Sequence, residues 1–211
     1  MRAPASAVIL AGGASRRMGH DKALLRLPDR RTCLEAVLQA AGAVATEIIL
    51  AVDTQEHAAR LLGDYQGLLP ALLFDAEPGQ GPLAVLAHAL AVARHPVLLV
   101  LAADMPLVAP AVLSALVQAI TGLDSADIDA AVPMIEGFAQ PLCACYASRL
   151  GPIATALVRS GRRDVRALLA RPDVRIRWLA EADLRPLDPS LQSFLSANTP
   201  EEWERLHHTL T

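Results

Sequence analysis

Fifteen consecutive residues near the amino end string together the parts of a phosphate site: Val8-Ile9-Leu10-Ala11-Gly12-Gly13-Ala14-Ser15-Arg16-Arg17-Met18-Gly19-His20-Asp21-Lys22. Two adjacent glycines let a backbone come close to a ligand, and the N–H groups of such a turn favour anions. Arg16, Arg17 and Lys22 then add three cations over a short stretch. Lys22 is the single lysine among 19 basic residues, the other 18 being arginine. An ammonium on a flexible stem is a compact point charge whereas a guanidinium is a planar fork, so a chain that otherwise uses arginine has a chemical reason for lysine here. The spacing is neither a Walker P-loop, which needs Gly-Lys-Ser/Thr, nor a dinucleotide fingerprint. It reads either as a loop suited to a triphosphate or as a glycine turn flanked by solvated arginines.

Three further segments place polar side chains where a strand or helix is expected to end. Asp104, in Leu101-Ala102-Ala103-Asp104-Met105-Pro106, follows the most apolar run of the chain. A carboxylate there is either a hard-oxygen ligand for Mg²⁺, sharing the ion with substrate phosphates, or a cap for the following turn. Asp75 precedes Glu77-Pro78-Gly79-Gln80-Gly81-Pro82-Leu83-Ala84. It is either an acceptor for a base or sugar beside glycines that admit one, or part of a plain turn into a proline-started helix. Arg159-Ser160-Gly161-Arg162-Arg163-Asp164-Val165-Arg166 is either a seat for an anionic second substrate or a charged helix junction. Cys143 and Cys145 point the same way on an expected strand and read as packing, because no other Cys or His stands at metal-ligand spacing. The six histidines form no Ser-His-Asp set and no two-histidine metal pattern.

These segments need a framework, and the hydrophobic pattern supplies one. Strands are expected at 5–10, 47–52, 70–74, 97–102, 129–134, 141–146 and 174–179, and helices at 32–44, 55–62, 82–93, 109–120, 150–160 and 164–170. Thr199-Pro200-Glu201-Glu202 opens a terminal helix, with a cap, a proline at the first position and an acid three residues after the cap. Alternating strands and helices predict one α/β domain, a three-layer structure with a mostly parallel, Rossmann-like central sheet flanked by helices. In such sheets ligands gather beyond the carboxyl ends of the strands, so Gly12, Asp53, Asp75 and Asp104, each after a strand, are expected to meet at one cleft.

Composition narrows the function classes. With 211 residues, 53% apolar and 19% charged, the chain is long enough for one full core. A net charge of -3, two Trp, two Tyr and three Phe argue against nucleic-acid binding. The longest later apolar run, 96–103, is too short to span a bilayer, and the amino end lacks a signal-peptide core. Three cysteines, an odd number, fit a reducing compartment rather than a disulfide framework, so a cytoplasmic protein is expected.

Taken together, these segments resemble the molybdenum cofactor guanylyltransferases (MobA type), a branch of the Rossmann-like nucleotidyltransferases. The residues that carry the resemblance are Leu10-Ala11-Gly12-Gly13, Arg17-Met18-Gly19 and Asp21-Lys22. They are followed in order by Gly81-Pro82-Leu83-Ala84, Asp104-Met105-Pro106, Gln140-Pro141-Leu142, Gly161-Arg162-Arg163 and Asn198-Thr199-Pro200-Glu201. The resemblance covers nearly the whole chain. It implies Mg²⁺-dependent transfer of GMP from GTP to Mo-molybdopterin, giving molybdopterin guanine dinucleotide and pyrophosphate. By position it implies Leu10, Ala11, Gly12 and Gly13 around the nucleotide, Arg17 and Lys22 on its phosphates, Asp75 at the guanosine and Asp104 on Mg²⁺. Gly81, Pro82, Gln140, Arg162, Arg163 and Asn198 fall on the acceptor side. A nucleotide-binding part (about 1–105) and an acceptor-binding part (about 106–211) are implied within the single domain. The implied partners are the two small-molecule substrates and, transiently, cofactor-handover proteins, with no nucleic acid and no membrane. The chain departs from the family pattern at Ala51, where an asparagine is frequent, at Val85 after Gly-Pro-Leu-Ala, and at Ser196. The double glycine favours guanylyl transfer over the cytidylyl relatives, whose loop reads Ala-Ala-Gly. The alternatives are a nucleotidyltransferase using CTP or a sugar-phosphate acceptor, and a non-catalytic nucleotide- or cofactor-binding protein on the same scaffold.

Overall fold

Apolar runs alternate with amphipathic patterns along the sequence, and the backbone of the computed structural model follows them in turn. The structure describes residues 3–12, 21–63, 65, 67, 69–74, 80–122, 127–196 and 203. In chain order these form β1 (Ala3–Leu10), α1 (Cys33–Val44), β2 (Ala45–Val52), α2 (Gln55–Leu62), β3 (Ala71–Phe74), α3 (Pro82–Val92), β4 (Val97–Ala102) and α4 (Pro110–Thr121). There follow β5 (Ala130–Ile135), β6 (Phe138–Ala139), β7 (Cys143–Ala147), α5 (Gly151–Arg159), α6 (Arg166–Leu169), β8 (Ile176–Leu179) and α7 (Glu181–Leu184).

The strand order is β3-β2-β1-β4-β7-β5-β6, with β8 paired to β5. The pairs β1–β2, β1–β4, β2–β3 and β5–β8 are parallel, whereas β7 runs antiparallel to β4 and β5. The expected mostly parallel sheet is therefore found, with one strand reversed. The reversal follows from the short return between β5 and β7: antiparallel neighbours need no crossover helix. That return contains a hairpin the hydrophobic pattern did not reveal, in which Glu136 (φ 51°) and Gly137 (φ 78°) make a two-residue turn between β5 and β6.

Both faces of the sheet are covered. In β4, Leu99 and Leu101 pack with α1, α2 and α4, while Leu98 and Val100 pack with α3, α5 and α6. A strand with no solvent face reads as an unbroken apolar run, which is why Val-Leu-Leu-Val-Leu-Ala shows no alternation. Helix α1 starts at a capping box in which Thr32 Oγ1 accepts from the Glu35 N–H (3.1 Å) and the Glu35 carboxylate accepts from the Thr32 N–H (2.6 Å). Cys143 and Cys145 are fully buried in one core, as their common face predicts. Among the described residues no helix is long and apolar enough to cross a membrane.

Candidate active site

Because β2 and β4 flank β1 on opposite sides, the strand order reverses beside β1, and the crevice beyond the ends of β1 and β4 is where such a sheet takes a ligand. A cavity of about 450 Å³ opens there. Its floor is tied down by backbone bonds. The Ala11 N–H donates to the Ala51 carbonyl (3.0 Å), the Ala103 N–H to that of Leu10 (3.1 Å) and the Ala102 N–H to that of Leu142 (2.9 Å). Tyr146, fully buried, donates its hydroxyl to the Pro141 carbonyl (2.8 Å) and so fixes the segment that brings Leu142 into the wall. Ala51, Val85 and Leu142 give the cavity an apolar stretch of wall.

The charged side sits opposite. Lys22 opens a short 3-10 turn, Lys22–Leu24, whose cap is Asp21: Asp21 Oδ1 accepts from the Ala23 N–H (3.2 Å). Lys22 Nζ lies 3.8 Å from Asp104 Oδ2, with the two side chains only 15% and 21% exposed. A cation and a hard carboxylate from distant parts of the chain thus share one partly desolvated mouth, where charge interactions are stronger than in bulk water. The amino end of α3 adds Gly81 and Pro82 to the cavity wall, and helix amino ends favour anions. Gly81 has φ 84°, and a Cβ there would meet the Arg163 carbonyl at 2.8 Å, so glycine is required on both counts. The Leu83 N–H donates to that same carbonyl (3.1 Å), which holds the Arg163 segment against the start of α3.

Three residues beyond those implied by the resemblance complete the site. Asp53 follows β2 and lines the cavity; a Cβ on Gly12 would meet its Oδ1 at 2.6 Å, so the glycine makes room for the carboxylate. Asp21 also lines it, and its Oδ2 lies 2.7 Å from His57 Nε2. An ionised carboxylate only accepts, so the imidazole N–H donates. The other ring nitrogen, Nδ1, is 4.0 Å from Asp53 Oδ2. His57 therefore bridges the end of β2 and the turn that carries Lys22. Its place was signalled weakly in the sequence: Thr54 caps α2, accepting from the His57 N–H (3.0 Å), so His57 stands in the first turn of a helix that starts at the ligand edge. The nearby thiol of Cys33 is pushed up to about 12, by burial first and then by the Asp104 charge, and is inert.

The structure brings Leu10, Ala11, Gly12, Lys22, Gly81, Pro82 and Asp104 to one cavity. Arg163 adjoins it through Gly81. Gln140 instead serves the β5–β6 hairpin, donating its N–H to the Pro133 carbonyl (2.9 Å) and its amide to that of Phe138 (3.3 Å). Arg162 is exposed, with its N–H on the Leu157 carbonyl (3.0 Å). Gly13, Arg17, Asp75 and Asn198 lie outside the described residues, as does most of the expected terminal helix.

Comparison with known proteins shows the family. Residues 7–185 match the MobA-like NTP transferase domain. A molybdenum cofactor guanylyltransferase of Desulfosudis oleivorans is 30% identical over 198 residues, covering 94% of this chain and 92% of the relative. A probable molybdenum cofactor guanylyltransferase of Synechococcus elongatus is 33% identical over 204 residues, covering 95% and 97%. Among solved structures, the molybdopterin-guanine dinucleotide biosynthesis protein A of Archaeoglobus fulgidus superposes with a TM-score of 0.79 at 26% identity, covering 97% of each chain. The chain belongs to the MobA-like NTP transferase domain family.

Proposed function

We propose that this protein transfers GMP from GTP to Mo-molybdopterin. The observation that carries the reading is the Lys22–Asp104 pair, 3.8 Å apart at the ligand edge of the sheet, in a chain whose relatives are named guanylyltransferases. A phosphate oxygen of the acceptor attacks the α-phosphorus of GTP. The bond from that phosphorus to the bridging oxygen breaks, and pyrophosphate leaves with the electron pair. The nucleophile is already ionised at neutral pH, so no poised base is needed, and the protein's task is to bring two polyanions together and meet the charge that grows on the leaving group. Lys22 holds the phosphates, the backbone of Leu10, Ala11 and Gly12 approaches the nucleotide, and the apolar wall takes its base. Arg17 and Gly13 join on the phosphate side, Asp75 at the guanosine, and Arg162, Arg163, Gln140 and Asn198 on the acceptor side, by their positions in the family pattern. Residues up to about 105 serve the donor and those beyond serve the acceptor.

Asp104 suits a magnesium ion. Among the described residues no group of three or more His, Cys, Asp or Glu forms a closed cage, and Mg²⁺ characteristically takes one or two carboxylates and completes its shell with phosphates and water. When bound, the ion neutralises triphosphate charge. The direct test is to incubate the protein with Mg²⁺, Mo-molybdopterin and each of the four NTPs, and to detect the dinucleotide by mass. Product with GTP is expected; product with CTP and none with GTP sinks the guanine assignment.

A further inference from the structure

The ligand edge continues past the nucleotide cavity. Because β7 is antiparallel to both β4 and β5, β5 runs in the same direction as β4, and its carboxyl end lies on the same edge of the sheet. Parallel β8 brings Trp178, paired with Val132, to that edge as well. Val132 and Met134 alternate onto one face, the one covered by α3, α5 and α6. Where that cover ends, Met134, Gly137, Phe138, Ala139, Trp178 and Arg166 line a hollow of about 480 Å³. Phe138 is 68% and Trp178 46% exposed, in a chain with only two Trp, two Tyr and three Phe. A smaller space of about 330 Å³ links the two: it shares Pro82 and Leu142 with the nucleotide cavity and Arg166 with the aromatic hollow, and Arg163 lines it between. Through these shared lining residues the three spaces adjoin one another as a trough along the ligand edge. From β4 across β7 and β5 to β8 is three strand spacings, roughly 15 Å.

We propose that the aromatic hollow seats the ring end of the acceptor, a fused heterocycle with one flat, conjugated pyrimidinone face and a phosphomonoester arm, with the arm running past Arg163 and Pro82 to the nucleotide. The inference rests on the guanylyl-transfer reading above. An exposed indole and a guanidinium each offer a flat face to a heteroaromatic ring, and a thioether beside them adapts to its edge. Arginine also matches phosphate, and Arg163 and Arg166 line the linking space with Asp164 between them, its Oδ2 3.9 Å from Arg166, so an anionic arm there competes with Asp164 for Arg166.

The test measures transfer with GTP and molybdopterin varied separately, in the wild type and in Trp178→Ala, Trp178→Phe and Arg166→Ala. Both residues are exposed, so neither substitution empties the core. A second readout is quenching of Trp178 fluorescence by pterin-6-carboxylate in a Trp203→Phe background. The expected result is that the acceptor KM rises about 10-fold in both alanine variants, in line with the loss of one stacking partner. The GTP KM stays within about twofold, Trp178→Phe recovers most of the loss, and the pterin quenches saturably unless Arg166 is removed. If the wild type makes product and the acceptor KM is unmoved in both alanine variants, the proposal is overturned and the hollow is left for a protein partner. An equal rise in both KM values overturns it too. If the wild type makes no product, the transfer reading fails on its own, and the quenching decides the hollow: saturable quenching supports a heteroaromatic seat and its absence refutes it.

Discussion

In the proposed reaction Lys22 is the residue on which the chemistry turns, and its identity as lysine is itself testable. Removing a donor aimed at developing charge costs about 100- to 1,000-fold, so Lys22→Ala is expected to lower kcat/KM by that much. Lys22→Arg keeps the charge but replaces a point with a fork; a recovery of more than about half the wild-type rate in steady-state assays means that shape does not matter there. His57 acts one step back. It holds Asp21, which caps the turn that carries Lys22, and in the proposed reaction it is a positioning residue for the ammonium. Loss of one such hydrogen bond is worth about 1 kcal/mol. His57→Ala should raise the GTP KM roughly fivefold with kcat little changed, and His57→Gln, which retains a donor, should restore it; an unchanged KM removes the brace from the account. The cysteines make a contrasting case. Cys33, Cys143 and Cys145 are buried, and burial pushes the first two thiols up to about 12 and the third higher still. Alkylation at pH 8 should label none of them in the native protein and all three after unfolding. Above about pH 9 the unfolded chain ionises its thiols while the folded one keeps them protonated, so this contribution to stability falls as pH rises.

At the scale of elements, the site depends on where α3 begins. Gly81 adopts a left-handed conformation against the Arg163 backbone, and that contact fastens the arginine-rich junction to the nucleotide cavity. A Cβ there brings both strain and a clash, costing about 1–3 kcal/mol. Gly81→Ala is expected to lower the melting temperature by roughly 3–10 °C and to weaken the binding of both substrates, since the contact serves both sides. A variant with wild-type melting and kinetics shows that the junction is fastened elsewhere. The β5–β6 hairpin plays a matching role at the aromatic hollow, because its two-residue turn carries Phe138 to that edge.

Over the whole molecule, the amino-terminal and carboxyl-terminal parts share one sheet. β4, the last strand of the first part, is paired on one side by β1 and on the other by β7 of the second part, and both cores draw residues from the two. A fragment of residues 1–122 leaves the β4 edge unpaired and strips part of the cover from both faces, so it should show no cooperative thermal transition, while the whole chain melts as one unit. Independent melting of the fragment would falsify the single-core account. The sharing also puts the carboxyl ends of β4 and β5 on the same edge, which is what the proposed two-substrate site requires.

Much of this was legible in one dimension. Periodicity located β4 and α2 at their observed bounds and most other elements within a few residues, because burial of one face or two leaves a mark on every second or third residue. The Gly12, Lys22 and Asp104 segments announced themselves by residue type and by following strands. What the sequence lacked was the pairing. The reversal of β7, the bridge from His57 to Asp21 and the hollow that Trp178 shares with Phe138 depend on residues far apart in the chain, and the two-residue strand β6 of the hairpin is too short to show a period. Contacts between distant residues leave no local period, since they are set by which strand lies beside which. The sequence by itself determined the framework, the phosphate chemistry and its likeness to a family; only the tertiary structure decided which side chains brace the lysine and where a trough leads away from it.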